Sequence, residues 1–207
     1  SPVLVLFLLM ASDHVSGQLF GPPDNITLLA EEAWSTYAAD LDGDGDMDVL
    51  SASAGDDKIS YYINDGTGQF GQQQVISTMA DAVLSVYAAD LDGDGDEDVL
   101  SASYNDDKIA SYVNDGAGNF GPQQVISTMA DGARSVLAAD LDGDGDMDVL
   151  SASRFDHKVA WYSNDGVGTF GPQQVISTSA DYPTSLFTTD IDGDGDMDVL
   201  SASPNDG

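Results

Sequence analysis

Short apolar runs separated by glycine-rich turns recur along the chain, and no segment shows the period of an amphipathic helix. The clearest set begins with Ser35–Asp40, Asp48–Ser53 and Lys58–Asn64, which are followed by the turn Asp65–Gly68 and by Phe70–Ser77. Runs of this length bounded by turn residues predict β-strands, and the glycine-rich turn is typical of a hairpin. The pattern therefore predicts four antiparallel strands joined by tight turns.

Apolar side chains occupy both alternations of the third run. Ile59, Tyr61 and Ile63 share one parity, and Tyr62 lies on the other. Because successive side chains of a strand point to opposite faces, this pattern is typical of a sheet that is buried on both faces. We therefore expect each sheet to pack between two neighbours.

The whole pattern repeats with a period of 50 residues. Phe70–Thr78 recurs almost unchanged at Phe120–Thr128 and Phe170–Thr178, and Phe20–Leu28 is a divergent copy. The period divides the chain into three complete units and an incomplete fourth: 20–69, 70–119, 120–169 and 170–207. Units of this kind predict an all-β fold, a β-propeller with one four-stranded antiparallel blade per repeat and about four blades present.

Between its first and second strands, each unit carries a loop with five aspartates at alternate positions. Mutual repulsion would destabilise such a loop, so we expect a cation among the carboxylates. The candidate metal ligands are Asp40, Asp42, Asp44, Asp46, Asp48, Asp90, Asp92, Asp94, Asp96, Asp98, Asp140, Asp142, Asp144, Asp146, Asp148, Asp190, Asp192, Asp194, Asp196 and Asp198.

The spacing of these carboxylates favours calcium. Ca²⁺ takes about six to eight oxygen ligands, and loops that wrap it use side chains at positions 1, 3 and 5 with a glycine at position 6, here Gly45. Position 12 is Ser51 and not the bidentate Glu of a helix–loop–helix site, which predicts a strand–loop–strand site. Mg²⁺ fits less well because it requires stricter octahedral geometry. We expect about four Ca²⁺, one per loop; the alternative is acidic surface turns without metal.

The segment Ala38–Ser53, together with the NDGxGxF turn and the Phe-Gly pair that follow it, resembles the FG-GAP/VCBS repeat of integrin alpha-chain propellers and of secreted microbial and algal proteins. The resemblance covers residues 20–207 and implies seven blades, with calcium held in the hairpin loops. Ser51–Ser53 and its copies depart from the family by replacing Gly-Ala-Pro. The chain also supplies barely four blades, so it is expected to be a fragment of a larger propeller.

Ring closure depends on the two ends of the repeats. The Phe20 strand lacks companion strands before it, and the last unit supplies only two strands, so the two pieces would complement each other in a ring of four blades. The resemblance favours a larger ring. We therefore expect an open arc with apolar residues exposed at its ends, among them Leu50, Ile63 and Val75.

Charge excludes one class of partner. The chain has 37 acidic and five basic residues, a formal net charge of −32, and the basic residues are too scattered to form a footprint for phosphates. Nucleic acid is therefore not an expected partner. Since 42% of the residues are apolar and fall in ordered runs, the charge does not indicate disorder. The absence of cysteine rules out disulfides, zinc–thiolate sites and cysteine nucleophiles.

An apolar run, Val3–Ala11, precedes the first repeat and is followed by the polar segment Ser12–Gly17. The run is too short to span a bilayer and has the length of a signal-peptide core. We therefore interpret residues 1–17 as part of a signal peptide cleaved after Gly17, which makes 18–207 secreted or exposed at the cell surface without a membrane span. The alternative is a buried core strand.

Loops alternate between the two ends of an antiparallel meander. The aspartate loops and the NDGxG turns therefore share one end, while the loops between second and third strands share the other with the links between blades. The first set is almost invariant among the units, and the second varies. The variable positions include aromatic and cationic side chains, which are typical of recognition surfaces, although relaxed drift explains them equally well: Trp34, Tyr104, Arg154, Phe155, His157 and Tyr182.

Two classes of function remain. The first is a binding or adhesion module for protein or carbohydrate, with calcium in a structural role. The second is the non-catalytic propeller portion of a larger extracellular enzyme, of the polysaccharide lyase or phospholipase type. Catalysis would need a positioned base or nucleophile, and the mature chain holds one histidine, His157, which replaces Asp57 and Asp107 and is interpreted as a surface residue. We therefore expect a binding module and not an enzyme.

Overall fold

The computed structural model describes residues 6–8 and 24–204, and the regular elements among them are all β-strands. In chain order they are β1 (Leu6–Leu8), β2 (Asp24–Thr27), β3 (Ala33–Ala39), β4 (Asp48–Ser53), β5 (Lys58–Tyr62), β6 (Gln74–Ser77), β7 (Val83–Ala89), β8 (Asp98–Ser103), β9 (Lys108–Tyr112), β10 (Gln124–Ser127), β11 (Ala133–Ala139), β12 (Asp148–Ser153), β13 (Lys158–Tyr162), β14 (Gln174–Ser177), β15 (Ser185–Thr189) and β16 (Asp198–Ala202). Within these ranges no helix has the length and apolarity needed to cross a membrane.

Four consecutive strands form each blade. The first blade is β3–β6, the second β7–β10 and the third β11–β14, and each is an antiparallel sheet with its strands in chain order. Strands β15 and β16 pair as the first two strands of a fourth blade. In every blade the last residue of the first strand lies opposite the aspartate that begins the second, as Ala39 does opposite Asp48. The expected all-β fold of four-stranded antiparallel blades is confirmed.

The fourth predicted run is only half strand. Its regular part in the first blade is Gln74–Ser77, whereas Phe70 forms an isolated bridge with Asn64. Between them, Gln73 Nε2 donates to the hydroxyl of the fully buried Tyr62 at 3.1 Å, and the copies of this pair make the same bond in the other two blades. The recurrent Phe-Gly-x-Gln-Gln sequence therefore satisfies a buried tyrosine in each blade.

The blades stack face to face, with one apolar cluster at each junction. Leu50 of the first blade packs with Val83 and Val86 of the second, and equivalent residues fill the next two junctions. All residues of β8 and β12 are buried, as a sheet covered on both faces requires. The first strands of neighbouring blades are also tied together, since Val86 N donates to Ser35 Oγ at 3.3 Å.

The described strands do not close a ring of four, because β1–β2 and β15–β16 form two separate two-stranded sheets. The free face of the fourth blade exposes Phe187 (63%) and Leu200 (41%). The expectation that Leu50 would be exposed is wrong: its parity points toward the second blade, and it is fully buried. Val75 is 48% exposed, but its copies in the interior blades are equally exposed, so this exposure belongs to the outermost strand of every blade.

Of the segment interpreted as a signal peptide, only Leu6–Leu8 are described, and they form β1. This strand pairs antiparallel with β2, Leu6 opposite Thr27 and Leu8 opposite Asp24. The pairing repeats that of the third and fourth strands of a blade, such as β5 and β6. The rest of residues 1–17, including the expected cleavage site after Gly17, lies outside the described residues, and export stays a prediction.

Candidate functional site

The aspartate loop of each blade winds around the carboxylate of its first residue. Asp40 Oδ1 accepts a hydrogen bond from Gly43 N at 2.9 Å, and its Oδ2 accepts one from Gly45 N at 2.9 Å. Both glycines have positive φ, 76° and 92°, a conformation that other residues rarely adopt. The same pair of bonds recurs at Asp90, Asp140 and Asp190. The two glycines thus let the backbone bend around the first carboxylate.

The middle of the loop is built from local turns. Asp42 Oδ1 accepts from Asp44 N at 3.3 Å, and Asp44 Oδ1 accepts from Asp46 N at 2.9 Å, with the same bonds in the other three loops. Burial, and then the charge of the next aspartate, raises the pKa of Asp42 and of its copy Asp92. Ionisation of these carboxyls is therefore less favourable than that of a free aspartate, and a cation would compensate their charge.

The last aspartate of the loop begins the second strand and is buried in the three complete blades. Asp98 Oδ2 accepts from Leu91 N at 3.2 Å, and its Oδ1 accepts from Asn114 N at 2.7 Å. Burial raises the pKa of Asp98 to about 6, although these two N–H donors oppose the shift. Burial likewise raises the pKa of Asp48 and Asp148. This residue fixes the loop to the blade and carries the most strongly desolvated carboxylate of each complete unit.

In each loop, three aspartates bring carboxylate oxygens within 4.8 Å of one another. The groups are Asp40, Asp42 and Asp48; Asp90, Asp92 and Asp94; Asp140, Asp142 and Asp148; and Asp190, Asp192 and Asp194. Carboxylate oxygens are the hard ligands that Ca²⁺ prefers, so the donor set fits the predicted ion. Outside these groups are the other eight predicted ligands: Asp44, Asp46, Asp96, Asp98, Asp144, Asp146, Asp196 and Asp198.

The fourth aspartate of the loop, Asp46 in the first unit, lies against the turn between the third and fourth strands. A Cβ at Gly66 of that turn would collide with the Asp46 carboxylate, and the same holds for Gly116 with Asp96. Two features therefore require glycine at this position of the NDG turn, and the first is its positive φ of 75°. The second is the close approach of the aspartate carboxylate. The glycine leaves space for this side chain.

The NDG turns are residues 64–68, 114–118 and 164–168. The sequence alone does not predict that their asparagine connects neighbouring blades. Asn114 Nδ2 donates to Leu41 O of the preceding blade at 2.9 Å and to Glu97 O of its own blade at 3.1 Å. Asn164 makes the same two bonds, to Leu91 O and Met147 O. Each of these asparagines joins two aspartate loops. Its recurrence in every NDG turn is the feature of the sequence that indicates such a role.

At the opposite end, the loops between second and third strands pair with the links between blades, as predicted. Ala54 N donates to Glu32 O at 3.1 Å, and Arg154 N donates to Gly132 O at 3.0 Å. We call this surface the variable end: the loops 54–57, 104–107 and 154–157 with the links 31–34, 81–84, 131–134 and 181–184. Backbone groups thus pair each loop with the link that leads into the same blade.

A second set of side chains that the sequence analysis missed ties each blade to the next at the variable end. Asp57 Oδ1 accepts from Ala82 N at 2.8 Å, and Asp107 Oδ1 accepts from Gly132 N at 2.9 Å. His157 occupies the equivalent position, and its Nδ1 accepts from Tyr182 N at 3.3 Å. His157 therefore performs the structural role of the aspartates that it replaces.

The variable aromatic and cationic side chains converge in space. Arg134 lies 4.8 Å from the ring centroid of Trp34, although the two belong to the third and first blades. Arg154 lies 5.2 Å from the ring centroid of Tyr182 and 6.0 Å from that of Phe155, which packs on Tyr104 at 5.3 Å. Trp34 is 53% exposed and Phe155 49%. The residues singled out by their variation thus form one surface.

Comparison with known families supports the repeat assignment. The family model of the FG-GAP-like repeat matches three overlapping stretches of the chain, 40–101, 90–151 and 140–201. Each stretch begins at one aspartate loop and ends in the strand that follows the next aspartate loop. Together the three stretches span more than half of the chain. No curated protein matches the sequence.

Solved structures share the fold. A lectin from Agrocybe aegerita, described for specific recognition of non-reducing terminal N-acetylglucosamine, aligns with a TM-score of 0.63 at 22% identity and covers 88% of this chain. The V. cholerae biofilm matrix protein Bap1 aligns with a TM-score of 0.51 at 24% identity and covers 83% of this chain. The alignments take in 51% of the lectin and 24% of Bap1, so this chain spans about half or less of either protein. At these identities the likeness is one of fold alone.

Proposed function

Because the chain belongs to the FG-GAP-like repeat family, we propose that it is a calcium-stabilised propeller module that binds carbohydrate or protein outside the cell and has no catalytic role. The observation that carries this proposal is the separation of the two ends of the blades. One end gathers three carboxylates in every aspartate loop, and the other gathers exposed aromatic and arginine side chains. The first set supports a structural ion and the second a ligand.

Calcium is the proposed ion because the ligands are carboxylate oxygens on a loop without histidine. Asp40, Asp42 and Asp48, with Asp44 available beside them, supply the side-chain oxygens, and backbone carbonyls and water complete such a shell in comparable sites. Bound calcium would neutralise the carboxylates that repel one another. Four ions bring eight positive charges and would change the formal charge from −32 to −24.

An extracellular location fits this chemistry. Calcium-binding modules of the extracellular space bind the ion with dissociation constants of about 10⁻⁴ to 10⁻³ M, and loops as exposed as these would be filled only where calcium is abundant. One neighbouring structure is a lectin described for recognition of N-acetylglucosamine and the other is a biofilm matrix protein, and the lectin favours carbohydrate among the candidate ligands.

The test combines ion counting with ligand retention. Equilibrium dialysis followed by metal analysis should find about four calcium ions per chain, and immobilised glycans should retain the calcium-loaded protein. Retention should fall when a chelator removes the ions and the blades loosen. The proposal would be overturned if the chain binds no calcium. It would also be overturned if no immobilised glycan or protein retains the chain, either with calcium or with the chelator.

A further inference from the structure

All five basic residues of the chain lie at the variable end, away from the aspartate loops. Three of them are neutralised there: Lys58, Lys108 and Lys158 form ion pairs with the aspartate two positions earlier, at 2.7 to 2.8 Å. Arg134 and Arg154 differ, since neither has a carboxylate partner or a side-chain hydrogen bond among residues 24–204. Two uncompensated guanidinium groups therefore share one surface of a strongly acidic protein.

The two arginines are close enough to affect each other. Burial, and then the charge of Arg154, lowers the pKa of Arg134. Arg154 Nε is buried and has no hydrogen-bond partner. The Arg154 side chain is therefore not neutralised or held by an acceptor among the described residues.

Aromatic rings border both guanidinium groups. Trp34 lies beside Arg134, while Tyr182 and Phe155 lie beside Arg154. The Phe155 ring rests on Gly132, where a Cβ would come within 2.7 Å of it. Glu32, Ala82 and Tyr182 occupy the equivalent position with the same positive φ, so the backbone alone does not require glycine there. Gly132 is needed to seat the ring, which makes this a built surface.

From these contacts we infer that the Arg134–Arg154 surface binds an acidic saccharide. The sugar carboxylate would lie between the two guanidinium groups, whose planar N–H donors match a carboxylate. The apolar C–H face of the sugar ring would cover the exposed ring of Phe155 or Trp34. The inference rests on the proposed binding function and specifies its ligand class.

A saccharide fits better than an acidic peptide. Only two cations are available, and the rest of the chain repels a polyanion. Binding must therefore draw on contact with flat aromatic faces as well as on charge. A uronic-acid ring supplies a carboxylate and an apolar face in one rigid unit, so little conformational freedom is lost when both are engaged.

The test measures binding of trigalacturonate, a short uronic-acid oligosaccharide, to the calcium-loaded full chain by calorimetry. Two substitutions borrow residues that other blades carry at the same positions: Arg154→Ala, as at Ala54, and Arg134→Thr, as at Thr184. Each should weaken binding by about tenfold or more, since each removes charged hydrogen bonds. Lys108→Gln is the matched control because it removes one charge from the same end but from an existing ion pair, and binding should be unchanged.

The wild-type chain is also compared on the carboxyl-reduced, neutral form of the trisaccharide and on poly-glutamate, so the test does not depend on the variants folding. Weaker binding of both supports the inference. Equal binding of the neutral sugar, or unchanged binding by both arginine variants, overturns it while leaving carbohydrate binding intact. Tighter binding of poly-glutamate overturns it in favour of an acidic protein partner. Failure to bind any of the three overturns it, and if the glycan panel is also not retained, the proposed function fails with it.

Discussion

The two ends of the blades use the same strands but are held together in different ways. At the aspartate-loop end, side chains make the connections, because Asp98 and Asn114 join loops to turns and one blade to the next. At the variable end, backbone bonds such as that from Ala54 N to Glu32 O pair each loop with a link, and one side-chain position, Asp57 in the first blade, joins each blade to the next. Most loop side chains at the first end make such contacts, whereas fewer do at the second, so more positions there can change. The repeat thus keeps structure at one end and leaves the other available for recognition.

The largest test of this comparison is removal of calcium. A site at a hundredfold excess of ligand over its dissociation constant stabilises the folded state by about 2.7 kcal/mol, and the chain has four loops. Transfer from calcium to a chelator should therefore lower the melting temperature by more than about 10 °C. Magnesium at equal ionic strength is the control and should restore little of the loss. Equal melting temperatures in calcium and chelator would contradict a structural role for the ion.

A second test compares a buried with an exposed copy of the same aspartate. Asp98→Ala leaves Leu91 N and Asn114 N without an acceptor, at about 1–3 kcal/mol for each buried group. Asp198 is exposed in the fourth blade and, among residues 24–204, accepts only from Ile191 N, so Asp198→Ala should cost less than about 1 kcal/mol. Urea unfolding in saturating calcium measures both. Similar losses would mean that burial between blades is not what makes this residue important.

A third test concerns the contact between blades. Asn114→Ala removes two bonds, to Leu41 O and Glu97 O, and should destabilise the protein by about 1–3 kcal/mol. In the first blade, the Asn64 amide donates to Met47 O at 3.2 Å and accepts from Gly68 N at 3.0 Å, and both partners lie in its own blade. Asn64→Ala is the control that loses two bonds within one blade. Its effect should be smaller because these bonds are exposed or part-buried, whereas the bond from Asn114 to Leu41 O is buried. If the two variants unfold at the same urea concentration, the bond to the preceding blade contributes nothing measurable.

The sequence predicts the fold well because each element of the repeat occurs three or four times along the chain. The strands, their order and the two sets of loops follow from the period and from the turn residues. The prediction that Leu50 is exposed is wrong. Alternation along a strand tells which residues share a face of the sheet but not which neighbouring blade covers that face. That choice depends on the direction in which the blades stack, and a single unit carries no information on it.

The candidate site is predicted in part, for a related reason. The aspartate pattern identifies the loop, and in each loop three of the five predicted ligands bring carboxylate oxygens within 4.8 Å of one another. The contacts of Asn114 and Asp57 could not be predicted from the sequence because their partners lie in other units, 73 and 25 residues away. The convergence of Arg134 on Trp34 across the second blade is of the same kind. Such contacts become visible only when the blades are placed beside one another.

The smallest expected effect is a change in how the free energy of unfolding depends on pH. This dependence should differ between the calcium-free and the calcium-loaded aspartate loops. In metal-free buffer, Asp98 has a pKa of about 6 in the folded state, above its ordinary value of 3.8. The folded state therefore binds more protons than the unfolded state between these values, so the free energy of unfolding should rise modestly as the pH falls from about 7 to about 5. In calcium the sign reverses, because protons compete with the ion for the same carboxylates. Urea midpoints across this range, with Asp98→Asn as the variant that should flatten the metal-free curve, measure both slopes. Parallel curves with and without calcium would mean that the ion does not bind at these carboxylates.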